Sequence, residues 1–157
     1  MFTVTSEAFP DGERIPLPHV SVRGGGENRS IPLAWSGAPT GTASLAVTLV
    51  DHAPVARMWV HWMVIDIAPP ATAIPEGASG TTKMPSGARE LANTGGGLGY
   101  SGPTPPRGTG DHPYVATVYA LSVPRLDLPG NATLSDFTSA VSGKVLAEAA
   151  VTGIYSR

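Results

Sequence analysis

Hydrophobic residues in this chain fall into short alternating or continuous runs bounded by glycine and proline, the pattern of β-strands. Ser44–Asp51 carries Leu45, Val47, Leu49 and Val50 and predicts a buried strand. Trp59–Ile67 predicts a second, with Val60, Trp62 and Val64 on one face and Trp59, His61, Met63 and Ile65 on the other. Residues 114–122 predict a third through Val115, Thr117, Val118, Tyr119 and Leu121. Residues 2–5 alternate briefly and read as an edge strand. Residues 31–35 read as a short strand that Pro32 assigns to a sheet edge, because proline has no N–H to give a neighbour. Gly24-Gly25-Gly26-Glu27-Asn28 is a turn, and residues 149–155 look like a last strand returning to the sheet.

Helical periodicity emerges only near Thr133, which can cap a helix with Asp136 in the capping-box position. Leu134, Phe137, Val141 and Val145 would share its sheet-facing side, and Gly143 marks a weak point or a break. Residues 68–111 are mostly glycine, proline, serine and threonine. A loop so long in a small domain is usually functional or built of several turns. The fold class expected is mainly β, with one or two C-terminal helices.

Composition agrees with this pattern. A chain of 157 residues with 19 glycines and 16 prolines suits turns and short strands better than a helical bundle. Its length supports a single domain, residues 1–157, with one core. Charged residues make up 14% and the formal net charge is -2, with no basic block, so no nucleic-acid partner is expected. The absence of cysteine removes disulfides, thiolate nucleophiles and Cys-type zinc sites. The first residues have neither a basic start nor an apolar stretch, and no run is long enough to cross a bilayer, so a cytoplasmic protein is expected.

Two places could carry chemistry. His61 lies in an apolar strand, where an unsatisfied polar group costs about 1–3 kcal/mol, so it needs a partner. If the Ser44–Asp51 and Trp59–Ile67 strands pair, the Asp51 carboxylate could meet an imidazole at one rim of the sheet. The other place is the Pro/Gly-rich segment 99–114. Its glycine-flanked turns can aim backbone N–H groups at an anion, and His112 and Tyr114, two residues apart, face one side of a strand.

The same segments resemble the phosphatidylethanolamine-binding protein family, the Raf kinase inhibitor-like proteins, in its compact bacterial and archaeal branch. Residues 26–37, containing Asn28, Ser30, Pro32, Leu33 and Trp35, look like the family's G-x-N-x-S-P-P-L-x-W segment. Asp51-His52-Ala53-Pro54, Val60-His61-Trp62, residues 99–106, residues 108–114 and the C-terminal 151–157 follow in the family's order. The resemblance implies a Greek-key, β-sandwich-like domain with peripheral helices and a small anion pocket at one end of the large sheet. Its wall would be Asp51, Ala53, Pro54, Trp59, His61, Gly102, Pro105, His112 and Tyr114. The chain departs from the family in three places. The second acid of D-P-D-A-P is missing, the arginine between the late histidine and tyrosine is Pro113, and a frequent cysteine is Thr104.

The expected function is binding of a small phosphate-like or phosphoethanolamine-like anion, with a regulatory, protein-facing role. His61, His112 and Tyr114 would donate to oxygens. Asp51 would orient an imidazole and accept from a headgroup amine, and Trp59 would pack over that cation. Competing readings are an inhibitor of a kinase or protease, a phosphoester hydrolase using Asp51 and His61 as acid and base, and a metal site of Asp51, His61 and His112. No catalytic residue, metal or cofactor is expected, and the prokaryotic branch implies a homodimer.

Overall fold

The computed structural model describes Met1–Arg157. Its strands are β1 (Thr3–Thr5), β2 (Leu33–Ser36), β3 (Ser44–Asp51), β4 (Trp59–Ile67), β5 (Ala73–Ile74), β6 (Arg89–Glu90), β7 (His112–Leu121) and β8 (Val145–Tyr155), with one helix, α1 (Leu134–Val141). All pairings between them are antiparallel, in two sheets ordered β1-β2-β5 and β6-β4-β3-β7-β8. The fold is the mainly β architecture expected from the sequence.

The continuous apolar run of Ser44–Asp51 becomes the middle strand, and every residue in it is buried. Leu45, Val47 and Leu49 join Trp62, Val64, Tyr114, Ala116 and Val118 in the core shared with Val4, Leu33, Trp35 and Ile74 of the small sheet. The other face of the large sheet, through Ala46, Val50, Val60, Met63 and Ile65, packs on Phe137 and Val141 of α1. Small sheet, large sheet and helix thus form three layers around two apolar interfaces.

The helix starts as its sequence predicts. Thr133 Oγ1 accepts from the Asp136 N–H at 3.1 Å, and the Asp136 carboxylate accepts from the Thr133 N–H at 2.9 Å. It ends sooner than expected, and Val145 opens β8 rather than extending the helical face. The turn between them contains Gly143 at φ 76°, a backbone conformation that favours glycine.

Two strand expectations need correction. The segment after Pro32 is not a sheet edge, because β2 pairs with β1 on one side and β5 on the other. Pro32 lies just before the ladder, so its missing N–H costs no pairing. The face assignment of β4 also fails midway. Leu49 pairs with Trp62 while Val50 pairs with Val60, so His61 is an extra residue, a β-bulge. The bulge leaves Val60 with Met63 and Ile65 on the helix side and sets the His61 ring against Tyr114. Strict alternation cannot foresee an inserted residue. No helix is long and apolar enough to cross a membrane.

Candidate functional site

The end of the large sheet near Asp51 gathers the chemistry. Asp51 closes β3, where the register places it between Trp59 of β4 and Tyr114 of β7. Its carboxylate is buried and accepts twice: from the Ala53 N–H at 2.9 Å and from Nδ1 of His112 at 2.6 Å. A carboxylate can only accept here, so the proton of that pair sits on Nδ1. The imidazole that Asp51 meets is therefore His112, not His61. On its far side, Nε2 of His112 lies 2.7 Å from Oγ1 of Thr109, whose hydroxyl also reaches the Pro106 carbonyl at 2.7 Å. Both nitrogens of His112 thus have protein partners.

His61 has a different arrangement. Its Nδ1 is 2.7 Å from the Ser101 carbonyl, which can only accept, so Nδ1 carries the proton. The Ser101 N–H returns a bond of 2.8 Å to the His61 carbonyl, fastening the loop to the strand. Nε2 has no protein partner. The Trp59 and Tyr114 rings lie 4.5 and 5.0 Å from the His61 ring, centre to centre. Burial lowers its pKa to about 4, against the opposing pull of the Ser101 carbonyl and the Asp51 charge. His61 is therefore neutral at pH 7, with a lone pair on Nε2.

Tyr114 is buried, and its hydroxyl makes no well-formed hydrogen bond although it lies beside the Asp51 carboxylate. Burial, with the nearby Asp51 charge, pushes its ionisation well above the ordinary range for a phenol, so it stays protonated.

These groups border a cavity of ≈ 580 Å³ lined by 13 residues. Of the nine residues expected at the site, Trp59, His61, Gly102, His112 and Tyr114 line it. Asp51 and Ala53 are buried behind the wall, Pro54 is exposed at the start of a short 3-10 turn, and Pro105 is buried while Pro106 takes the lining position. The sequence reading missed Ser21, Arg23, Val55, Ala56, Gly95, Ser101, Thr104 and Pro106. For Ser21 and Arg23 the available signal was the glycine turn that follows them.

That turn docks against the Gly99–Pro106 segment. The Ser21 N–H donates to the Pro103 carbonyl at 3.2 Å, and the Ser21 and Thr104 hydroxyls are hydrogen-bonded to each other. Asn28 reaches across as well, accepting from the Gly102 N–H at 2.7 Å and donating to the Tyr100 carbonyl at 3.3 Å. Close approach explains Gly102. A Cβ there would lie 2.3 Å from the His19 carbonyl oxygen and 2.6 Å from the Ser21 nitrogen, both backbone atoms. Gly102→Ala should accordingly destabilise the fold by about 3 kcal/mol, the upper part of the usual overpacking range. Chemical denaturation checks this; an unchanged midpoint would show that the two segments can separate freely.

The competing acid–base reading of Asp51 with His61 finds no support in the geometry, since each has a different partner. No three His, Asp or Glu side chains converge as metal ligands either. Asp51, His112 and Thr109 form a carboxylate–imidazole–hydroxyl chain, but Thr109 does not line the cavity.

Comparison with known proteins places the fold in a family. The family model described as phosphatidylethanolamine-binding protein matches residues 5–156. A UPF0098 protein of Methanothermobacter thermautotrophicus is 38% identical over 152 residues, covering 97% of each chain. The UPF0098 protein YbhB of Escherichia coli is 36% identical over 155 residues, covering 96% of this chain and 98% of that one. The crystal structure of E. coli YbcL, described as a new member of the mammalian PEBP family, superimposes with a TM-score of 0.92 at 35% identity, over 99% of this chain and 98% of that one. The chain belongs to the phosphatidylethanolamine-binding protein family.

Proposed function

We propose that the cavity binds a small phosphate-like anion and that the protein acts by binding rather than by catalysis, in a regulatory, protein-facing role. One observation carries this reading. The lining includes Arg23, His61 and His112 together with the hydroxyl residues Ser21, Ser101, Thr104 and Tyr114, and it contains no carboxylate. A concave surface that holds one fixed cation, Arg23, beside several hydroxyl groups and no competing anion favours an oxyanion. The uncapped Tyr114 hydroxyl supports it, since a buried donor without a partner costs about 1–3 kcal/mol unless a ligand meets it. Exposed Val55 in the lining, and exposed Val22 between Ser21 and Arg23, give the mouth an apolar rim that suits a macromolecular partner.

Binding is favoured over hydrolysis because the hydroxyl that meets an imidazole, Thr109, stands outside the lining, while His61 has no hydroxyl partner to activate.

Tyr114→Phe tests the reading in two directions at once. Removing an unpartnered buried hydroxyl should stabilise the free protein by about 1 kcal/mol. The same change should weaken binding of methyl phosphate about tenfold, the scale of one hydrogen bond to an anion. Thermal denaturation and titration calorimetry read the two effects. No saturable binding of methyl phosphate to the wild-type protein at millimolar concentration would sink the proposed function.

A further inference from the structure

His61 turns the wrong way for a simple anion site. Its Nδ1–H is committed to the Ser101 carbonyl at 2.7 Å, which leaves Nε2 as an acceptor on a ring that lines the cavity. An oxygen of a fully ionised anion placed there would meet a lone pair. The groups that could alter this from neighbouring elements are Asp51 at the end of β3, His112 and Tyr114 on β7, and Arg23 on the glycine turn. Asp51 is occupied by His112 and Ala53, the nitrogens of His112 by Asp51 and Thr109, and Tyr114 remains a neutral phenol. None of them supplies Nε2 with a proton.

Arg23 stands apart from this group. It lines the cavity, is exposed, and joins none of the protein's ion pairs. Its turn is held by bonds from the Gly24 and Gly26 N–H groups to the Ser21 carbonyl at 3.0 and 2.9 Å. A Cβ at Gly26 would fall 2.2 Å from the Val20 carbonyl oxygen, so the turn needs glycine to pack as closely as it does. The single side chain in the lining that is always charged is thus carried on a fixed support.

We propose, building on the anion-binding reading, that the cavity takes up its anion together with one proton shared between a ligand oxygen and Nε2 of His61, with Arg23 meeting the charge. The ligand class is an acid that still carries a proton near neutral pH, a phosphomonoester or hydrogen phosphate, in preference to a strong-acid anion such as sulfate. No covalent bond changes; one proton enters the complex with the anion.

Magnitudes follow from where that proton comes from. A phosphomonoester has its second pKa near about 6, so at pH 7 supplying the proton costs about tenfold in affinity. Sulfate brings none, and His61 must be protonated from a free-state pKa of about 4, which at pH 7 costs about a thousandfold. With equal contacts otherwise, methyl phosphate should bind about a hundredfold more tightly than sulfate at pH 7.

Titration calorimetry of the full chain with methyl phosphate and with sulfate, from pH 5 to 8, decides the matter. Methyl phosphate affinity should be flat to pH 6 and then fall about tenfold per unit, whereas sulfate affinity should fall about tenfold per unit throughout. Arg23→Gln, on an exposed turn, should weaken both about tenfold and leave the pH slopes unchanged. Sulfate binding as well as methyl phosphate at pH 7, or methyl phosphate tightening above pH 6, would overturn the proton-coupled site while leaving anion binding intact. Unaltered affinity in Arg23→Gln would overturn the part given to that residue. Failure of both anions to bind at pH 5 would overturn the underlying reading as well.

Discussion

Asp51→Ala is expected to destabilise the protein by about 3–5 kcal/mol, the largest effect of any single substitution at this end of the sheet. The carboxylate is the acceptor for two buried donors, Nδ1–H of His112 and the Ala53 N–H, and alanine leaves both without their partner. Each orphaned donor costs about 1–3 kcal/mol, and loss of a charge-assisted partner puts the His112 bond toward the upper end. The substitution also frees the His112 ring, which only Thr109 would then hold. Equilibrium denaturation in urea should show a lower midpoint with an unchanged slope. Asp51→Asn should lose less, because an amide oxygen can still accept one of the two bonds. Equal losses for alanine and asparagine would show that charge, rather than acceptor geometry, governs the site.

Acidification is the second large effect. His61 has a folded-state pKa of about 4 against an ordinary value of 6.5, so between these values the unfolded chain binds a proton that the folded chain refuses. Stability therefore rises with pH across that window and falls as pH drops from 6.5 toward 4. The gap corresponds to about 3 kcal/mol of folding free energy lost over the interval. Below pH 4 both states are protonated and this contribution to the slope vanishes. His61→Gln, which cannot titrate, should flatten the profile between pH 4 and 6.5 relative to wild type. Matching slopes for the two proteins in that interval would show that His61 is not the group responsible.

The sequence alone was enough to identify strands β3, β4 and β7, because eight to ten residues of apolar and β-branched side chains admit few alternatives in a chain so rich in glycine and proline. The start of α1 was equally legible, since capping is local chemistry: Thr133 and Asp136 are three residues apart and meet only each other. Trp59, His61, Gly102, His112 and Tyr114, named through the family resemblance, line the cavity. Tertiary structure decided which of them meet. His112 rather than His61 pairs with Asp51 because strand register brings the ends of β3 and β7 together, and register depends on contacts 61 residues apart along the chain. The bulge at His61, which no alternation pattern encodes, fixed the direction of its ring. Arg23 entered the lining for a similar reason. The glycine turn after it signals a close approach but not a ligand contact, and Gly26 and Gly102 let their backbones pack closely against neighbouring segments. Local rules thus determined the elements, and the family resemblance pointed to five of the thirteen lining residues. Long-range packing determined which nitrogen holds a proton and where the fixed charge stands, because both depend on partners that only the folded chain assembles.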